Sequence, residues 1–269
     1  MTAKKATKTP PLLLIETKDR LRILTLNRPD RLNALTPELH HLLQSAVIDA
    51  AGDDSVGALV LTGAGRAFCS GGDIKRSTDK TKQAPQTREQ RADALRQHAV
   101  TTKTLHTMPK PTMAVMNGVA AGSGLSLALA CDFRWMHRGA KLRTGYAGIG
   151  LSGDLGISYY LTTLIGAARA RELLMLNEKI DAETAFSYGL VNRLYADAAD
   201  AMAMAEELAA GPGLAYRMMK ENINLAETAT LEQVIDREAN NSVRCIWSHD
   251  AREAALAFKE KRPPKFENR

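Results

Sequence analysis

Apolar residues first recur with the period of a strand and then with that of a helix. Residues 12–17 and 22–27 read as two strands around the polar turn Lys18-Asp19-Arg20, with Leu24 and Leu26 alternating with Thr25. Asn27-Arg28-Pro29-Asp30 is a turn. Thr36-Pro37-Glu38 then opens a helix, with threonine as N-cap and proline in the first turn, where its missing N–H costs nothing. Leu39, Leu42, Leu43, Ala46 and Val47 follow at helical spacing until Gly52-Asp53-Asp54. Residues 58–62 form a buried strand that leads through Gly63-Ala64-Gly65 into Ala67-Phe68-Cys69-Ser70-Gly71-Gly72-Asp73. Residues 77–92 are charged and without period, which predicts a mobile loop beside Gly72. Residues 93–108 read as helix and stop at Pro109-Lys110-Pro111.

The next strand, Thr112–Met116, breaks at Asn117-Gly118. The stretch Ala120-Ala121-Gly122-Ser123-Gly124 then brings backbone close to a neighbour, because almost no side chain intervenes. Helix formers follow over 125–130. A helix starting in such a turn points free N–H groups and the positive end of its dipole at one spot, suited to an anion or an oxygen that becomes anionic in a reaction. Short strands are predicted over 132–136 and 141–143. A glycine-rich run covers 145–156, and helices cover 157–165 and 167–176. Asp181 caps a helix over 182–188 that Gly189 ends, and 190–195 reads as a strand. From Asp197 onward the pattern is helical, broken at Gly211-Pro212-Gly213 and near Ser248-His249.

Composition narrows the class. At 269 residues, with 45% hydrophobic and 25% charged residues, the chain reads as an ordinary globular protein. No apolar run approaches the ~20 residues of a membrane helix. Cys69, Cys131 and Cys245 are too few and too scattered for a disulfide framework or a zinc site, which fits a reducing, cytoplasmic location. The net charge of +6 suits a polyanionic partner, such as the phosphates of a coenzyme or a nucleic acid, although no aromatic-rich basic patch supports the latter. The lysine-rich start, residues 1–11, reads as a disordered basic tail.

Several spaced segments, in order, resemble the crotonase (enoyl-CoA hydratase/isomerase) superfamily: LNRPDRLNAL (26–35), AFCSGGDI (67–74), NGVAAGSG (117–124), DAETAFSYGLVNRL (181–194) and AFKEKRPPKF (257–266). The resemblance implies an α/β fold, a crotonase-like spiral of ββα units over 12–196. It also implies an all-helical trimerisation region over 197–269, and hence a homotrimer or a dimer of trimers. It implies an acyl-CoA substrate, with coenzyme A as part of the substrate, no separate cofactor, no metal and no membrane partner.

Laid on this sequence, the superfamily pattern puts the two oxyanion-hole N–H groups on Gly72 and Ser123. It places the two hydratase glutamates at Ser126 and Tyr146, neither of which is a carboxylate. Asp154 falls where dienoyl-CoA isomerases and 4-chlorobenzoyl-CoA dehalogenase carry an aspartate, and an aspartate among apolar residues would suit a base near neutral pH. The competing reading of Asp154 is the N-cap of the following helix. The catalytic expectation is therefore Asp154 with Tyr146 beside it, and His98 as a loose candidate for a second base. For coenzyme A the pattern implies the backbone of Asp30, Arg31 and Leu32, then Ser70, Asp73, Ile74 and Lys75, with Phe258 and Lys259 reaching a neighbouring subunit's ligand; by charge alone, Arg28, Arg31 and Lys75 suit its phosphates. The expected activity is an enoyl-CoA isomerase-type reaction. The alternatives are an atypical hydratase, a dehalogenase-like use of Asp154 as nucleophile, or an RNA- or CoA-binding protein on the same scaffold.

Overall fold

Leu13–Lys18 (β1) and Leu21–Leu26 (β2) pair antiparallel around Asp19, whose φ of 52° suits the short side chain of a turn aspartate. The computed structural model to which they belong describes residues 10–73 and 86–267. Ile74, Lys75 and most of the expected tail lie outside the described residues, as do residues 77–85 of the expected loop. Helix α1 (Pro37–Gly52) starts as predicted, the Thr36 hydroxyl accepting from Leu39 N at 3.2 Å.

From there the chain winds through two sheets. Ala58–Gly63 (β3), Thr112–Met116 (β5), Phe133–His137 (β7) and Arg193–Tyr195 (β10) extend β1 and β2 into a six-stranded sheet in the order β1-β2-β3-β5-β7-β10. Ala67–Cys69 (β4), Val119–Ala121 (β6), Lys141–Arg143 (β8) and Ile180–Asp181 (β9) form a second sheet in the order β4-β6-β8-β9. Three successive turns thus lay one strand in each sheet and return through a helix: α2 (Arg88–Thr107), α3 (Ser123–Leu129) and α4 (Ile157–Leu176). This is a ββα spiral. Its main core fills the space between the sheets and α1 to α5 (Ala182–Ser187). A smaller core seals the outer face of the large sheet, with Ala201, Ala205 and Ala209 of α6 (Ala198–Ala210) against Val60, Met113 and Val115. Helices α7 (Gly213–Ala226), α8 (Leu231–Ile246) and α9 (His249–Glu260) complete the helical C-terminal region. No helix among the described residues is long and apolar enough to cross a membrane.

Four boundaries differ from the sequence reading, each for a local reason. Helix α2 begins at Arg88, inside the segment expected to be a loop, because Thr87 and Gln90 form a reciprocal capping box. Thr230 and Gln233 form a second box that starts α8 after a break with no glycine or proline to signal it. The two helices expected over 157–176 join across Gly166, whose φ of 75° is non-helical. Of the strand expected over 190–195 only 193–195 pairs, because Leu190 N turns back to Ala185 O at 3.0 Å and closes α5.

Candidate active site

Parallel pairing of β4 with β6 lets the two glycine turns leave the small sheet side by side. Gly71 has a φ of 89°, and a Cβ there would lie 2.8 Å from the Ala121 carbonyl oxygen and 3.3 Å from Ser123 N. The turns can meet only because that side chain is missing. Leu35 N donates to Gly71 O at 2.8 Å and Asp73 N to Leu35 O at 3.0 Å, so this bridge engages the groups on either side of Gly72 and spares its own N–H. Ser123 is the first residue of α3, after Gly122, which offers no side-chain cap. Its N–H is one of the helix's unpaired terminal donors. The two predicted donors thus sit on adjoining turns.

Asp154 lies across from them. The N-cap of α4 is Gly156, with no side-chain cap, so the carboxylate does not cap that helix. It accepts instead from the Ser123 hydroxyl at 2.9 Å and the Tyr146 hydroxyl at 2.7 Å, both on Oδ1. Ser126, buried on the first turns of α3, lies 3.3 Å from the Tyr146 oxygen. The Tyr146 proton goes to Asp154, and the Ser126 hydroxyl also lies within reach of the Asp154 carbonyl at 3.3 Å and the Gly122 carbonyl at 3.4 Å. Burial, reinforced by the Asp154 charge and hydrogen bond, pushes the Tyr146 phenol far above its ordinary value. It therefore stays a proton donor to the carboxylate and does not act as a base near neutral pH. Two hydroxyls, from Ser123 and Tyr146, thus converge on one carboxylate oxygen, and Oδ2 has no hydrogen-bond partner among the described residues.

Sequence reasoning missed His40. It is 4% exposed, stacks on His98 with ring centroids 4.2 Å apart and planes 18° apart, and neither of its nitrogens has a hydrogen-bond partner among the described residues. Burial is the main cause that lowers the His40 ring to about 4, with His98 adding to it and the Asp154 charge opposing. Burial also lowers His98, again against the pull of Asp154. Both rings are thus neutral at physiological pH and near enough to Asp154 to feel its charge. The available signal was His40 lying at i−3 and i−7 from Leu43 and Val47, on the apolar face of α1.

The remaining predicted residues divide. Asn33, fully buried with a φ of 55°, donates to the carbonyls of Ala64, Ala67 and Phe68, and Ser70 N donates to Leu32 O at 3.0 Å. These bonds knit the 28–35 loop to the first glycine turn. Arg28 is held inside this junction by Asp73 at 3.1 Å and by the Ala34 carbonyl, so its charge is already engaged. Asp30 and Arg31 are exposed at the loop's outer side. Phe258, 87% exposed, and Lys259 lie on α9, and the structure brings neither to Asp154 within one chain. Cys69 and Cys131 are buried in the core, which pushes both thiols up to about 12 and makes them unreactive packing residues.

The family described as "Enoyl-CoA hydratase/isomerase" matches residues 16–269. A 1,2-epoxyphenylacetyl-CoA isomerase of Escherichia coli is 37% identical over 247 residues, covering 90% of this chain and 93% of the relative. A 4-chlorobenzoyl coenzyme A dehalogenase of an Arthrobacter species is 32% identical, covering 92% and 90%. Among solved structures, one titled as a putative enoyl-CoA hydratase from Streptomyces coelicolor superposes with a TM-score of 0.90 at 34% identity, over 100% of both chains.

Proposed function

The chain belongs to the enoyl-CoA hydratase/isomerase family of crotonase-fold enzymes that act on acyl-CoA thioesters, and from that premise we propose that it isomerises its thioester with Asp154 as the proton carrier. The observation that carries this is the turning of the Asp154 carboxylate away from helix α4 onto Ser123 and Tyr146, with Oδ2 left open. Asp154 takes a proton from the acyl group. The electron pair moves onto the thioester oxygen, where the N–H groups of Gly72 and Ser123 stabilise it; one such donor is typically worth about 3–4 kcal/mol. The proton then returns to a different carbon, and substrate and product have the same mass. Hydration is the weaker reading, because Ser126 and Tyr146 give no second carboxylate to position water. Coenzyme A enters as part of the substrate, along the 28–32 loop and residues 70–75, and no separate cofactor is required. Residues 12–196 act as the catalytic spiral and 197–269 as an assembly region. Three free cysteines fit a cytoplasmic enzyme.

A second reading rests on Oδ2 being open and on a neutral His98 near enough to feel the Asp154 charge. Asp154 would attack a halogenated aryl thioester, expel halide and form an aryl ester, which water activated by His98 would hydrolyse. The similarity to a dehalogenase supports keeping this reading. A panel of straight-chain enoyl, dienoyl, aryl and chloroaryl CoA thioesters separates the two by mass spectrometry. Unchanged mass with a moved double bond is the expected result. Exchange of chlorine for hydroxyl would establish the second reading, and gain of water would establish hydration. Asp154→Asn should lower turnover at least ~10²-fold, the low end for general acid–base catalysis. Full turnover in the folded variant would refute the role of Asp154.

A further inference from the structure

We propose that the Ser123 side chain is a positioning residue that sets which oxygen of Asp154 reacts, separately from the oxyanion contact made by its backbone. The inference rests on the reading of Asp154 as proton carrier. A glycine here would supply the same N–H and nothing else. This chain places a hydroxyl at that point, 2.9 Å from Asp154 Oδ1. The Tyr146 hydroxyl reaches the same oxygen at 2.7 Å from another element. Two donors converging on one oxygen oppose rotation about the Asp154 Cβ–Cγ bond, because exchanging Oδ1 and Oδ2 breaks both bonds at once. Oδ2 keeps its lone pairs for the substrate. Asp154 sits in a turn where Gly153, Leu155 and Gly156 all have positive φ; the turn directs the side chain toward α3 and the two hydroxyl contacts fix its rotamer.

The arrangement also ties together two halves of the chemistry. Ser123 N–H holds the oxygen that gains charge, and Ser123 Oγ holds the group that moves the proton, so one residue defines the spacing between them. Among the other groups that couple to this carboxylate, Tyr146 remains a donor, and His40 and His98 are neutral rings with no hydrogen bond to it among the described residues, so none of them replaces the serine contact.

The test compares Ser123→Ala, Ser123→Thr and Asp154→Asn with the parent enzyme on the thioester panel. Binding of 4-dimethylaminocinnamoyl-CoA, whose absorption moves to the red when its carbonyl is polarised, is measured in parallel. Removing one hydrogen bond to a charged group should lower kcat of Ser123→Ala about ten- to a hundredfold with KM nearly unchanged. The red shift of the bound probe should stay at the parent value, and Ser123→Thr should recover most of kcat. Full kcat in Ser123→Ala, while Asp154→Asn is inactive, overturns the positioning role and leaves the reading of Asp154 standing. A lost red shift in Ser123→Ala overturns it too, by showing that the substitution disturbs the oxyanion contact. Full turnover in Asp154→Asn, or no turnover of any thioester by the parent enzyme, overturns the reading of Asp154 and the positioning role with it.

Discussion

Leu155 holds a left-handed conformation, φ 52°, although it is neither glycine nor asparagine and its side chain is buried. Such a residue stores about 1–3 kcal/mol of strain, and here it reverses the chain right after Asp154 so that the carboxylate faces α3 and not α4. His40 is costly in a different way. Its ring is neutral in the fold and drops to about 4, against 6.5 in the unfolded chain. Between those values the unfolded chain binds more protons, so stability is full above pH 6.5 and is lost as pH falls toward 4, by on the order of 3 kcal/mol. His40→Phe keeps a flat ring against His98 and cannot take up a proton. The parent should therefore lose more melting temperature than His40→Phe between pH 7 and pH 4. Equal losses would show that His40 does not titrate as its burial requires.

Elements are held in place by a few buried polar clamps. Lys220, on α7, donates to Asp132 Oδ2 at 2.8 Å, Leu105 O at 3.0 Å and Lys110 O at 3.2 Å. The same carboxylate oxygen accepts from Thr112 N at 2.8 Å and from its hydroxyl at 3.0 Å. One ion pair thus joins α7 to the end of α2 and the starts of β5 and β7. Beneath it a largely apolar cavity of about 380 Å³ opens between α4 and α7. Losing one partner of a buried pair typically costs about 3–5 kcal/mol, because the other charge is stranded. Lys220→Met should destabilise the fold by about that amount in urea unfolding, and adding Asp132→Asn should recover part of it. Strictly additive losses would mean that the pair is not coupled.

At the scale of the molecule, the C-terminal helices expose apolar side chains to the outside of the chain. Among the described residues α8 buries only Asn241, whereas Leu231, Ile235 and Ile246 on α8, Trp247 just after it at 76% exposure, and Leu256 and Phe258 on α9 all face outward. Surface of this kind marks an association site. We infer that copies of the chain cover it, as a trimer or a dimer of trimers, which also brings Phe258 and Lys259 toward a neighbour's ligand. Sedimentation at micromolar concentration should show trimers or hexamers. A purely monomeric protein would remove the basis for shared ligand contacts.

Much of this was legible along the chain. The Thr36 and Asp181 caps, the strand hairpin and the glycine turns depend on neighbours within a few residues, and local steric and hydrogen-bond rules determine them. The resemblance to the crotonase pattern also singled out Gly72, Ser123, Tyr146 and Asp154 as candidates, of which the structure brings Ser123, Tyr146 and Asp154 into hydrogen-bond contact. What the sequence left open was the fate of each polar side chain. Cap or pocket for Asp154 are both compatible with its neighbours, and only the approach of α3, 31 residues earlier, supplies the serine hydroxyl that turns it inward. The engagement of Arg28 by Asp73 and the stacking of His40 on His98 span 45 and 58 positions respectively. Contacts at that separation leave no periodic trace, because they arise from how the spiral stacks its turns and not from the pattern of any one of them.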